Sequence, residues 1–367
     1  MPDLDAGTEA DSGSLEADAG WAPYDAGAGN DAGLGVDAGR PDAGVRDAGP
    51  PLVRDGGGPD DAGRPIERAF AELAPGELRS VSTDVSQFRV AAPAGTYWII
   101  DWTPRMHWDS TTRKIVLMGL RRYIKISVFD DATGQWRNVG LPAPWQGLDL
   151  NGHWYGWSAF DQPGRRIFAR DHIFNVDTET WAGPIANIPI VTNGSNGTML
   201  SWQSNVGRLA RYGGNAQRWM EFDPVNNTWP TVVSNIGNGE HALAEFHAMH
   251  GTTLIVGGNN TQGVAQLVSP GGTKRRVVDF PSRTSMSGGS WSIPHRSGAW
   301  LVRDAPETGT PHLFAYWPAL DRWQDLGESP DMGLVNPTVA YDAQADAVII
   351  AHSRGTSVWK CVPITQP

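Results

Sequence analysis

From Ile66 onward the chain alternates short apolar runs with polar punctuation. KIVLMGL (114–120), IKISVFD (124–130), RIFAR (166–170), TLIVGG (253–258), LVRD (301–304) and AVIIAHS (347–353) are rich in Val, Ile, Leu and Phe. Gly, Asn, Asp and Pro separate them. Runs of this length and composition are strand signals, and no stretch holds a convincing helical period. The pattern predicts a nearly all-β domain over residues 66–367.

The runs group into units of four strands. Inner strands are expected in RMHWDS (105–110), HWYGWSAFD (153–161), TMLSWQS (198–204), EFHAMHG (245–251), SWSIPH (290–295) and NPTVAYD (336–342). Second strands follow at Lys114, Arg166, Arg208, Thr253, Ala299 and Ala347. Third strands end at Asp130, Asp177, Asp223, Ser269 and Trp317, and fourth strands begin near Trp136, Trp181, Trp229, Val277 and Trp323. The tryptophans at 136, 181 and 229 are 45 and 48 residues apart, and the gap to Trp323 is 94, two further periods. A repeat of about 20–50 residues signals a stacked or circular architecture.

Six inner strands face only five closing strands. The missing one is expected at the start of the domain, where FAELAPGEL (70–78) resembles the fourth-strand segment WQDLGESPDMG (323–333). Phe70 to Leu78 should therefore pair alongside Ser357 to Ile364 and close a ring, which otherwise leaves two raw edges.

The third unit has Gly213 and Gly214 before Phe222, Asp223 and Trp229, and the fourth has Gly257 and Gly258. These units resemble kelch repeats: a glycine pair, an aromatic-acid pair and a tryptophan about six residues on. The resemblance covers residues 70–364. It implies a six-bladed kelch-like β-propeller around a channel, with seven blades the alternative if Val85 to Asp101 builds a divergent extra blade. In this reading Trp packs between blades, Asp bonds the turn backbone and the glycines take conformations barred to other residues. Copper radical oxidases share the kelch fold but need a Cys–Tyr crosslink with further Tyr and His ligands. Only Cys361 is available and no matching set is recognisable.

Charge separates the first 66 residues from the rest. They hold 14 Asp plus Glu against 4 Arg, whereas the remaining 301 hold 26 acidic and 25 basic residues. Asp-Ala-Gly recurs at Asp5, Asp18, Asp25, Asp31, Asp37, Asp42, Asp47 and Asp61. A segment so poor in apolar residues cannot offset its ordering entropy, so 1–65 reads as a disordered acidic linker with a reach on the order of 45 Å. It resembles the Asp-Ala-Gly-rich linkers of surface proteins from myxobacteria-like soil bacteria. A nearly neutral domain argues against nucleic acid as partner. One cysteine excludes an internal disulfide, and no cysteine-based zinc site is expected. No run of about 18 apolar residues predicts a membrane helix, and Met1, Asp3 and Asp5 do not open a secretory leader.

Ligand chemistry in a propeller is expected on loops and inner strands at a channel mouth. The residues expected to bind a ligand are Trp102, Arg105, His107, Trp154, Trp157, His247 and Trp291. Asp101, Trp202, Glu245, His295 and Asn336 lie in the same segments. With 17 Trp in the chain, interblade packing competes for each of them. HALAEFHAMH sets Glu245 and His247 on one strand face and His250 on the other, without the spacing of a helical zinc motif. No catalytic residue, metal or cofactor is expected. The leading expectation is a non-enzymatic extracellular binding module for a surface glycan or protein, displayed on an acidic stalk. The alternatives are a virion tail-fibre or decoration protein, with an assembly partner for the tail, and a glycan-active enzyme with an unrecognised site.

Overall fold

The structure, a computed structural model, describes residues 64–367 apart from 93–94, 101–102, 121–123, 148–155, 187–198, 214–216, 259–262, 285–288, 305, 307–308 and 331–336. The chain divides into two units, Met1–Asp55 and Gly56–Pro367. The first lies wholly outside the described residues, as do residues 1–63 of the acidic linker expected over 1–65.

The second unit opens with helix α1 (Pro65–Glu72), strand β1 (Leu78–Ser82) and a hairpin of β2 (Arg89–Ala92) and β3 (Gly95–Trp98). Blade 1 follows as β4 (His107–Asp109), β5 (Lys114–Leu120), β6 (Ile124–Asp130) and β7 (Gln135–Val139). Blade 2 is β8 (Ser158–Asp161), β9 (Arg166–Ala169), β10 (His172–Asn175) and β11 (Thr180–Ala182). Blade 3 is β12 (Met199–Gln203), β13 (Arg208–Gly213), β14 (Arg218–Glu221) and β15 (Thr231–Val233). Blade 4 is β16 (Leu243–His247), β17 (Thr252–Val256), β18 (Ala265–Val268) and β19 (Lys274–Arg276). Blade 5 is β20 (Trp291–Pro294), β21 (Trp300–Arg303), β22 (His312–Trp317) and β23 (Arg322–Glu328). Blade 6 takes β24 (Thr338–Asp342), β25 (Ala347–His352) and β26 (Gly355–Lys360) from the C-terminus and β1 as its fourth strand.

Blade 6 is thus closed by the start of the domain, but only the end of the expected segment takes part. β1 pairs with β26 from Leu78↔Trp359 to Ser82↔Thr356. Of the predicted latch, Gly76, Glu77 and Leu78 reach that edge, Gly76 and Glu77 exchanging backbone hydrogen bonds with Lys360. Phe70 belongs to α1, whose buried Ile66, Ala69 and Phe70 form one face. Nor does Val85–Asp101 make a seventh blade: β2 and β3 form a separate two-stranded sheet.

The closing tryptophans act between blades. Trp181 Nε1 donates to the Gly140 carbonyl (2.8 Å), Trp229 to Ala186 (3.2 Å) and Trp323 to Val278 (3.0 Å), each one blade back. Trp136 of blade 1 donates to Thr356 Oγ1 of blade 6 at 3.0 Å, so the same bond crosses the ring closure. Acids end the third strands by capping turns: Asp130 Oδ1 accepts from Ala132 N and Asp223 Oδ1 from Val225 N, both at 2.9 Å. In blade 2 the role moves two residues, to Asn175 rather than Asp177. Gly257 and Gly258 have φ of 73° and 113°, and a Cβ on Gly257 would overlap Thr284.

Candidate functional site in the channel

The six inner strands converge on the axis. Parallel bridges between Arg105 and Val339 and between Gly156 and Met199 set neighbouring inner strands in register. A pocket of about 400 Å³ lies between them and takes lining residues from every blade: Arg105 and His107, Phe160 and Gln162, Ser201 and Trp202, Glu245, Ser292, and Tyr341. Several lie at or just past the C-terminal ends of their strands, including Pro163, Ser204 and Ala248.

Blades 1 and 4 stand opposite in a ring of six, and an ion pair joins them. Arg105 NH2 lies 3.3 Å from Glu245 Oε2, with the side chains 11% and 18% exposed. The same nitrogen donates to the Ala244 carbonyl at 2.5 Å. Arg105 Nε has no hydrogen-bond partner. Burial pushes the Glu245 carboxyl up, and the Arg105 charge opposes that shift. Truncating one member of such a pair leaves a buried charge uncompensated, which costs far more than the pair contributes.

His107 lies behind Arg105, its Nε2 hydrogen-bonding with Ser158 Oγ at 2.9 Å. Burial, reinforced by the Arg105 charge, pushes the imidazole down to about 3. Burial likewise pushes His247 down to about 4. Both rings are neutral in the folded protein at neutral pH, while the unfolded chain protonates them below about pH 6.5. A depressed folded value means that stability is fully present above that pH and is withdrawn as pH falls towards 4 and 3. Melts recorded from pH 7.5 to 4 should show a falling Tm, with a shallower slope in His107→Gln. Parallel slopes would remove His107 from this acid response.

The expected ligand residues divide by position. Arg105 and His107 line the pocket. Trp157 is 1% exposed and packs in the apolar core of blades 1–3, with Arg211 Cζ 4.9 Å from its ring. Trp291 is fully buried in the core of blades 5 and 6. His247 sits in the seam to blade 5: Nε2 contacts the His295 carbonyl at 2.9 Å and its ring meets Trp300 edge-on. Trp102 and Trp154 lie outside the described residues, as do Asp101 and Asn336. The His-Glu cluster of blade 4 diverges, because Glu245 faces Arg105 whereas His247 and His250 reach carbonyls of blade 5. His250 does not point away from His247: the turn after β16 brings the rings to 4.8 Å.

Sequence reasoning passed over Phe160, Ser201, Ser292 and Tyr341. Their signal was positional only: each lies on an inner strand, in the window that lines the axis in every blade.

No protein-family model matches the sequence, and no curated protein matches it. Solved propellers do resemble it. A protein of unknown function from Bacteroides thetaiotaomicron shares 8% identity over 77% of this chain and 74% of that one, at a TM-score of 0.51. A candidate gluconolactonase shares 12% over 79% and 94%, at 0.50. The chain is a six-bladed β-propeller. A fungal alcohol oxidase of the AA5 family, in complex with copper, also matches at 9% over 72% and 76%, but its TM-score of 0.46 carries no argument about chemistry. Likeness at such identities establishes fold, and a fold hosts many activities.

Proposed function

We propose that the propeller is a binding module whose channel pocket takes a carbohydrate, held outside the cell by the acidic segment that precedes it. The kelch-like units supply a rigid ring and the pocket supplies recognition. The observation that carries this reading is the mixed lining. Phe160, Trp202 and Tyr341 present aromatic surface, and Ser201, Ser204, Ser292 and Gln162 set hydroxyls and an amide beside it. Trp202 is partly exposed and stacks on Phe168 at 5.2 Å and 20°, so its plane is held fixed. Aromatic faces flanked by polar groups suit the apolar faces and hydroxyl edges of sugars, and about 400 Å³ is within the range of small-ligand sites.

The same geometry weighs against hydrolysis. Among the residues lining the pocket, His107 is the imidazole that contacts a serine, but Ser158 is outside the lining and an imidazole at about 3 is a weak base. The carboxylate facing the pocket, Glu245, is committed to Arg105.

A glycan array followed by calorimetry tests the proposal. Trp202→Ala should weaken binding at least tenfold, about 1.4 kcal/mol, while leaving Tm within about 2 °C because the ring is only partly buried. An array blank with folded wild-type protein, or product formation from any bound glycan, would overturn it.

A further inference from the structure

The hairpin of β2 and β3 belongs to no blade, and a pocket of about 330 Å³ lies between it and the outer strands of blade 1. The sequence opens this slot by stopping a ladder. β7 pairs with β6 only as far as Ile126↔Val139, although β6 begins at Ile124. Leu141 is followed by Pro142, which has no backbone N–H to carry the ladder further. The ladder thus ends short of Ile124 and Lys125, and Arg89 and Val90 of the hairpin stand beside them instead. Two hydrogen bonds hold the hairpin there. Lys125 Nζ donates to the Arg89 carbonyl at 2.8 Å, and Ser127 Oγ to the Gln87 carbonyl at 3.3 Å.

The lining is chemically divided. Val90, Ile124, Ile126, Val139 and Leu141 make an aliphatic wall. The polar groups are the Asn138 amide and two cations, Arg89 and Lys125, and no carboxylate lines the slot. Among the described residues neither cation is paired with an acid. The Arg89 guanidinium lies 4.2 Å over the Trp98 ring, and Lys125 turns one of its three N–H groups to the Arg89 carbonyl. Stacking on the indole orients the guanidinium and leaves its in-plane N–H edge for a planar anion. Burial pulls the Lys125 ammonium down, and no neighbouring acid counters that shift. A partly buried cation is ordinarily compensated by an opposite charge, and here two neighbouring cations beside an apolar wall lack one.

We propose that this slot binds an aliphatic carboxylate, its chain against Ile124, Ile126, Val139 and Leu141 and its headgroup held by Arg89 and Lys125. An anion between the two cations relieves their mutual repulsion and offsets the burial of Lys125. An inorganic anion would leave the aliphatic wall in water, and a neutral lipid would leave both cations uncompensated, so the lining selects a molecule with both parts. About 330 Å³ is at the lower end of small-ligand sites, which suits a chain of medium length. The slot shares no lining residue with the channel pocket, so this site stands independently of the carbohydrate reading. Bound there, the ligand joins the hairpin to blade 1 across the gap that the ladder leaves.

Calorimetric titration of the full-length protein with decanoate, at neutral pH and below its micelle concentration, tests this. One equivalent should bind saturably, decanol at least about tenfold more weakly, and acetate not measurably. Arg89→Gln and Lys125→Met should each weaken decanoate binding at least about tenfold, the scale of one charge-assisted hydrogen bond, whereas Trp202→Ala in the channel should leave it unchanged. Lys125→Met also removes the bond to the hairpin. If that variant fails to fold, Arg89→Gln decides alone, because the Arg89 side chain is exposed. No saturable binding, equal affinity for decanol or acetate, a decanoate affinity that Arg89→Gln leaves intact, or its loss on Trp202→Ala overturns the proposal.

Discussion

Removing residues 64–82 is expected to abolish the cooperative melt of this propeller, and Gly355→Ala to lower its Tm steeply. β1 supplies the fourth strand of blade 6, covering an edge of β26 that would otherwise be exposed. An uncovered strand edge invites pairing with other chains, so the truncated protein should also associate. The segment before β1 is held just as firmly. Asp131, in the turn after β6, accepts from the backbone N–H of Ile66 at 2.7 Å and of Glu67 at 3.1 Å, so blade 1 caps the start of α1. The Phe70 ring then packs edge-on against Trp108 at 5.9 Å. The N-terminal segment therefore joins blade 6 to blade 1. Gly355 begins β26 with φ of 137°, and a Cβ there would overlap the Ser82 carbonyl oxygen. Backbone strain plus a backbone clash at the seal should cost about 3 kcal/mol or more. Scanning calorimetry of both variants checks this; a Tm within about 2 °C of wild type for Gly355→Ala would show that the seal does not hold the ring.

The blades were legible because their signal is local. Second strands at Lys114, Arg166, Arg208 and Ala347 begin where the polar-to-apolar switch placed them. Ring closure was legible by counting, but its register was not. The likeness of FAELAPGEL to a fourth strand rested on polarity, and the competing pattern was the short helical spacing of Ile66, Ala69, Phe70 and Leu73 behind Pro65. Eight residues of helix give too little periodicity to stand out, and α1 forms because tertiary burial of that face supports it. Val85–Asp101 misled in the opposite way: its strands are real, but they pair only with each other. In the site, Arg105 was visible because an arginine beside an inner strand is costly to bury without a task. Tryptophan was a poor guide, because seams between blades consume the same residue that sugars attract.

Trp157 puts a number on that last conflict. Trp157→Ala should destabilise the domain by about 3–5 kcal/mol, the range for truncating a large buried aromatic. The indole is 1% exposed and shares its core with Met118, Ile126 and Leu200. Arg211 adds to the cost. Its guanidinium carbon lies 4.9 Å from the Trp157 ring, the residue is 1% exposed, and burial pulls its pKa down to about 10. A desolvated cation over an aromatic face gains up to about 2 kcal/mol, and alanine removes that face while the charge stays buried. Urea unfolding of Trp157→Ala beside Trp202→Ala separates packing from recognition. The expected pattern is a large loss of stability with an unchanged Kd in the folded fraction for Trp157, and the reverse for Trp202. A Trp157→Ala protein that melts like wild type but has lost its ligand would move the binding surface from the channel pocket to the segment leading into β8, and the carbohydrate site would have to be rebuilt around that segment.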